Sequence, residues 1–337
     1  LAGLAVDYFG ERAVLLWSGI VMGLALCAAA FMPNLWWLIG WMFVFGMAYG
    51  TSNPSGGRAI LLWFTSDRGL AMGIRQTGVP LGGVVGSLLL PVIALHWGYR
   101  TSIFTAGVIC IIATIVCVLG YSRPSDDFDA DPLKLADVWR GMLLISTSPV
   151  SICINLAASS LVTMQYTAVS FLAIALMTLK HAPLTVAVEA MAIFQIGAVL
   201  GRLAWGAVSD HLFNGERMGP MVLISISTLA VIPWLAQSGD APTLAIFALA
   251  AVLGATIAAW NGLWATAQAE IGGPRLAGSA IGTSLFLIYL VGAIVPPLFG
   301  TLVDHTNFTV AWYALSIFVA LGIIPGFMAR RLLLRAR

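Results

Sequence analysis

Charge is what this chain most lacks. Asp, Glu, Lys and Arg make up 9% of its 337 residues, against roughly 25% in a soluble domain. A water-facing surface cannot be built from so few. With 60% hydrophobic residues and a mean hydropathy of +0.97, the chain reads as an all-α polytopic membrane protein. No cluster of Lys or Arg with interleaved aromatics occurs, so no nucleic-acid partner is expected. Cysteine is also scarce. Cys27, Cys110, Cys117 and Cys153 all fall in apolar runs without ligand spacing, and read as small buried residues. His96, His181, His211 and His305 lie at or near loops and share no ligand spacing. No metal and no cofactor are expected. No nucleophile motif has a base nearby, so the chain does not read as an enzyme.

Long apolar runs are what it has. A helix needs about 20 apolar residues to cross the hydrocarbon. Full spans are expected near 13–31, 36–62, 70–95, 101–121, 149–177, 183–208, 221–236, 243–268, 276–300 and 309–329. All should be helical, because lipid-exposed backbone must satisfy its own hydrogen bonds. The chain opens on Leu1 with residues that read as the tail of a helix, so a fragment lacking its N-terminus is expected.

A short phrase occurs twice. Gly3-Leu-Ala-Val-Asp7 leads to Gly10-Glu11-Arg12, and Gly206-Ala-Val-Ser-Asp210 leads to Gly215-Glu216-Arg217. Each time a Gly-x-x-x-Asp closes one apolar segment and a Gly-Glu-Arg opens the next. Gly69 and Gly73 after Arg68 align with Gly278 and Gly282 after Arg275, and Gly83 aligns with Gly292 at the same offset. Two related halves are implied, and two such halves suggest a transporter. If the Gly-Glu-Arg loops face the cytoplasm, fourteen of the sixteen basic residues lie at or near the inner face, with only Arg100 and Lys180 outside. The longest polar stretch, 122–140, carries Asp126, Asp127, Asp129 and Asp131 and is the expected linker. The organisation expected is a truncated N-terminal helical bundle over 1–122 and a linker with a short interfacial helix over 123–148. A six-helix C-terminal bundle over 149–329 and a basic cytoplasmic tail over 330–337 follow.

At these residues the chain resembles the major facilitator superfamily. Gly3, Asp7, Gly10 and Arg12 match that family's loop between its second and third helices, while Tyr8 and Glu11 stand where basic residues are usual. Residues 63–74 are similar to the fourth-to-fifth helix junction, Trp97-Gly-Tyr-Arg100 with Phe104 to the fifth-to-sixth turn, and 201–210 to the eighth-to-ninth junction. The resemblance implies two pseudo-symmetric six-helix bundles, the first incomplete here, and alternating access. Many proton-driven exporters of the family carry an intramembrane Arg four residues before a Gly in the fourth helix; before Gly46 that slot is Met42. The stretch 72–82 is similar to bacterial uptake members handling small organic or inorganic anions. Uptake of such an anion, coupled to an ion gradient with H+ as the ion, is therefore expected. Proton-driven efflux and a non-transporting sensor are the alternatives. A monomer in a bacterial inner membrane, with its C-terminus cytoplasmic, is expected.

The resemblance places Asp7 against the start of the eleventh helix, near Pro274–Gly278, and the repeat places Asp210 near Arg68–Met72. A carboxylate at a helix N-terminus is stabilised by roughly 0.3–1 kcal/mol. Gly3, Asp7, Gly10, Arg12, Arg68, Arg202, Gly206, Asp210 and Arg275 are the gating candidates; the plainer alternative is a set of helix-end residues in water. Polar residues deep in spans need partners and should point inward. Tyr49, Asn53, Arg75, Gln76, Asn155, Gln165, Tyr166, Gln195, Trp260, Asn261 and Tyr289 are the cavity candidates, with helix–helix hydrogen bonding as the alternative. Arg75 could instead snorkel to headgroups. Glu189 is the proton-coupling candidate, or else lines an outer vestibule. Gly69, Gly73, Gly78, Gly82 and Gly86 recur at helical spacing and read as a packing face, without the Gly-Lys-Ser/Thr ending of a phosphate loop.

Overall fold

A computed structural model describes residues 2–122 and 135–336. The four linker aspartates, with Arg123 and Lys134, lie outside the described residues. Every regular element described is helical. In chain order these are α1 (Ala2–Phe9), α2 (Glu11–Ala30), α3 (Leu35–Tyr49), α4 (Ser52–Trp63), α5 (Arg68–Gln76), α6 (Gly78–Trp97) and α7 (Tyr99–Gly120). There follow α8 (Leu135–Ser146), α9 (Pro149–Leu179), α10 (Leu184–Ala207), a π turn (Val208–Leu212), α11 (Met218–Ala236), α12 (Thr243–Ile257), α13 (Asn261–His305) and α14 (Phe308–Ala336).

Local chemistry sets several boundaries. Asn34 caps α3 by accepting from the Trp37 amide at 2.9 Å. Ser148 caps α9 by accepting from the Ser151 amide at 3.2 Å, and Pro149 takes the first turn, where no amide partner is needed. Gly10 turns the chain between α1 and α2 with a φ of 83°, a conformation open to glycine at little cost.

Among the described residues, eight stretches are long and apolar enough to cross a membrane, against the ten expected. Two differences account for the gap. The span expected over 36–62 breaks at Gly50–Thr51 into α3 of 15 residues and α4 of 12. The spans expected over 243–268 and 276–300 run together into one stretch from Thr243 to His305. Interruptions also part α5 from α6 at Thr77 and α12 from α13 at Ala258–Trp260. Inside α13, Gly273 (φ 62°, ψ −177°) and Leu276 leave helical geometry, so the helix restarts just beyond them. The cysteines are all free, but only Cys153 is buried; Cys117 on α7 is exposed, so burial was not general.

The chain divides into two compact units. The first takes in Leu1–Thr65, Gly82–Ile145 and Ala269–Thr283. In it α2 packs on α7, where Gly23 and Gly107 let the backbones approach: a β-carbon at Gly107 would lie 2.6 Å from the Gly23 carbonyl oxygen. The short helix α8 lays Val138 and Met142 against Leu4 and Leu276. The second unit takes in Ser66–Leu81, Ser146–Gln268 and Ser284–Arg337. Its core holds Trp264, Trp312, Phe194, Leu161 and Leu172.

The second unit also gathers α5, α10 and α12 through glycines. Gly254 of α12 faces the Phe194 carbonyl so closely that a β-carbon would meet that oxygen and come within 2.9 Å of the Ala198 nitrogen. Gly254→Ala should cost about 1–3 kcal/mol by overpacking, seen as a lower melting temperature in detergent. Gly40→Ala, with nothing within 4 Å of the added carbon, should melt as the unchanged protein does; equal melting of the two variants would refute the packing account. The expected glycine face divides at the Thr77 break. Gly69 and Gly73 pack closely on α10, whereas Gly78 and Gly82 have no neighbour within 4 Å and Gly86 only Leu90. The interruption ends the common register that a single helix would have kept.

Candidate functional site

Two buried acids define the site, one in each unit. In the first unit Asp7, near the end of α1, accepts from the Gly278 amide at 3.0 Å and the Ser279 amide at 2.6 Å. Those amides are available because α13 restarts after Gly273 and Leu276, so they behave as the open amides of a helix N-terminus. Close approach is made by glycine: a β-carbon at Gly282 would fall 2.8 Å from the Gly3 nitrogen, and one at Gly278 would fall 2.6 Å from an Asp7 carboxylate oxygen. Asp7 is 6% exposed. Burial pushes its carboxyl above the usual range, while the hydrogen bonds from Ser279 and Gly278 and the Arg58 charge pull it back.

Arg58 of α4 is the residue that sequence reasoning missed. One guanidinium nitrogen lies 3.6 Å from Asp7 Oδ1 and donates to the Val6 carbonyl at 2.8 Å. Its Nε lies 3.6 Å from Glu11 Oε2, and Glu11 also accepts from the Tyr121 hydroxyl at 3.1 Å. Glu11 stands where a base was the usual residue, and the positive charge comes instead from α4. The signal was a base within an apolar run beside two glycines, but its partners lie about fifty positions upstream. Removing the base takes the positive charge from beside two buried carboxylates. Arg58→Gln should cost about 3 kcal/mol, read as a fall in melting temperature. Arg12→Gln, at an exposed residue, serves as the control, and no difference between the two would overturn this account.

In the second unit Asp210, on the π turn, accepts from the Gly69 amide at 3.2 Å and the Leu70 amide at 2.7 Å, both at the start of α5. Arg217 pairs with Asp210 and donates to Ser209 at 2.9 Å. Gly206 packs on Gly69 and Leu70. Glu216, 4% exposed, caps α11 through the Met218 and Gly219 amides and accepts from Arg330 Nε at 3.1 Å. Arg202, 4% exposed, donates to the Gln76 carbonyl at 2.7 Å and the Ala258 carbonyl at 3.0 Å. Arg68 is half-buried, while Arg12 and Arg275 are exposed.

The cavity candidates separate into groups. Gln165 accepts from Trp260 Nε1 at 2.9 Å and Asn261 Nδ2 at 3.1 Å. An indole N–H can only donate, so the Gln165 carbonyl is the atom held and its amide group is left as a donor. Asn155 accepts from Gln268 at 2.9 Å and Ser284 at 2.6 Å, and Ser151 donates to Gln268 at 3.3 Å. Gln268 and Ser284 were not anticipated, although a Gln within an apolar run was a visible signal. Tyr166 packs its ring on Gly292. Gln76 is buried, Arg75 sits near the Met72 sulfur at 4.0 Å, and Gln195 and Tyr289 are half-buried. Tyr49 is 37% exposed and stacks on Phe45, a partner one turn away on its own helix. Asn53, half-buried on α4, belongs with Tyr49 to the first unit. Glu189 is exposed near the start of α10.

Comparison with known proteins points to one family. The family model described as Major Facilitator Superfamily matches residues 1–296. An uncharacterised MFS-type transporter of Mycobacterium tuberculosis, Rv2994, is 33% identical over 328 residues, covering 96% of this chain and 72% of the relative. A phosphoglycerate transporter protein of Salmonella typhimurium is 26% identical over 328 residues, covering 87% of this chain and 70% of the relative. Among solved structures, the Escherichia coli fucose:proton symporter superposes with a TM-score of 0.72 at 14% identity, covering 97% of this chain and 86% of that one.

Proposed function

Since the chain belongs to the major facilitator superfamily, an integral membrane family of transporters rather than enzymes, we propose that it takes up a small organic or inorganic anion, coupled to an ion gradient, by alternating access. The pair of buried aspartates carries the reading. Each is hydrogen-bonded to the start of a helix drawn from the other half of the sequence, Asp7 to α13 and Asp210 to α5. A contact made in one conformation and absent in the other biases the equilibrium between them. In this reading the contacts hold the state closed on the inner side, and breaking them opens it. The moving bodies are the bundles 1–122 and 149–329, joined by the 123–148 linker and followed by the 330–337 tail. Gly3, Gly10, Gly206, Arg12, Arg68, Arg202 and Arg275 serve the gate.

The substrate class is supported by the phosphoglycerate-transporting relative and by the Gln165 side-chain amide, left as a donor because its carbonyl is held by Trp260 and Asn261; Arg75 is a further candidate ligand. Proton coupling has Glu189 as its candidate, and the fucose:proton symporter is a neighbour in fold alone. The distribution of basic residues supports a cytoplasmic C-terminus, and the proposal takes the protein as a monomer in a bacterial inner membrane. The test is a thermal-shift screen of monocarboxylates, phosphorylated carboxylates, inorganic phosphate, sugars and organic cations. Uptake of each stabilising anion into liposomes, with and without an imposed proton gradient, comes next. Gradient-dependent anion uptake is expected. Stabilisation by sugars or organic cations alone would overturn the substrate class, and binding without flux would make the protein a sensor.

A further inference from the structure

The nine-residue helix α5 is gripped at both of its poles by one neighbour. Its first amides, from Gly69 and Leu70, reach the Asp210 carboxylate. Its last carbonyl, from Gln76, receives the Arg202 guanidinium at 2.7 Å. Each charge complements the pole it meets: the acid faces the positive N-terminal end and the base the negative C-terminal end. The spacing fits. Nine helical residues span about 13 Å, and the eight-residue step from Arg202 to Asp210 spans about 12 Å.

Between the poles the two segments run in opposite directions and touch through backbone. A β-carbon at Gly206 would fall 2.6 Å from the Gly69 carbonyl oxygen, and one at Gly73 would fall 2.5 Å from the Arg202 carbonyl oxygen. Beyond Gln76 the chain breaks at Thr77 before α6 begins. The Thr77 amide bonds back to the Gly73 carbonyl at 3.1 Å, so α5 finishes its own last turn. Arg202 has a second acceptor in the Ala258 carbonyl at 3.0 Å, at the interruption that presents Trp260 and Asn261 to Gln165.

We propose that Arg202 and Asp210 are the two jaws of one clamp that carries α5 as a rigid strut, hinged at Gln76–Gly78, so that both poles are gripped or released together. Arg202 is then a positioning residue: it sets the length of helix the clamp accepts and ties that grip to the Ala258–Trp260 interruption. A single contact at Asp210 would leave the Gln76 end free to fray, whereas a two-pole grip makes release all-or-none along the strut.

This inference rests on the alternating-access reading, and the test separates the two. Amide hydrogen exchange is followed by mass spectrometry across 66–77 in the full chain held in lipid nanodiscs. Arg202→Gln and Asp210→Asn should each speed exchange over the whole of α5, including the distant Gly69 and Leu70 amides, by about tenfold or more. The double variant should exchange no faster than the worse single one, because a strut released at one pole is already released. Gly73→Ala, which leaves both jaws in place but pushes the helices apart, should free the same segment. Effects of Arg202→Gln confined to residues 74–77, or additive effects in the double variant, would overturn the clamp. If Asp210→Asn frees α5 and Arg202→Gln does not, the clamp fails and the Asp210 gate stands. If Asp210→Asn leaves α5 protected, the gate at that acid fails as well.

Discussion

Asp7→Asn should lower the initial rate of anion uptake by about tenfold or more while leaving the protein folded and in the membrane. The carboxylate receives two backbone amides, one on each oxygen. An Asn keeps one acceptor and turns an N–H group against the other amide. Hydrogen bonds to a charged acceptor contribute about 1.5–3 kcal/mol, and about 1.4 kcal/mol is a tenfold shift in an equilibrium. The side chain is nearly isosteric, so packing around Gly278 and Gly3 is preserved and the effect falls on the balance of conformations. Uptake by proteoliposomes at matched protein content is the measurement. Wild-type rates in Asp7→Asn would remove the gating role.

Gln165→Leu is expected to act on stability and binding together. Trp260 is 1% exposed, and its indole N–H has the Gln165 carbonyl as acceptor at 2.9 Å. Leu leaves that donor stranded, along with one from Asn261, at about 1–3 kcal/mol for each buried group. The check is a double-mutant cycle. Trp260→Phe combined with Gln165→Leu removes both partners and should recover part of the lost melting temperature, because no orphan indole remains. Loss of thermal stabilisation by the anion should persist in the double variant, since the Gln165 amide donor is gone from both. A single Gln165→Leu variant as stable as the unchanged protein would refute the account.

Much of this architecture was legible because composition and hydrogen-bond demand leave a membrane chain few options. Runs such as 101–121 and 149–177 could only be helices, and they are. The aspartates were legible for another reason: the Gly-x-x-x-Asp phrase is local, repeated and closes an apolar run each time. What stayed hidden depends on tertiary partners. The breaks at Gly50–Thr51 and Ala258–Trp260 carry neither a charge nor a proline at the break itself, so hydropathy runs straight through them. Arg58 looked like an inner-face base because nothing near it in sequence shows that Asp7 and Glu11 lie beside it.

Gly273 has a consequence that reaches beyond its own turn. Its φ of 62° and ψ of −177° lie where only glycine rests without strain, yet nothing stands within 4 Å of a β-carbon there. A side chain would have ample room and no permissible torsion. Substitution at this position would drive α13 toward an uninterrupted rod, and the amides of Gly278 and Ser279 would turn back to their own helix. The aspartate nearly two hundred and seventy positions upstream would then lose its donors, although neither it nor anything it touches had been altered.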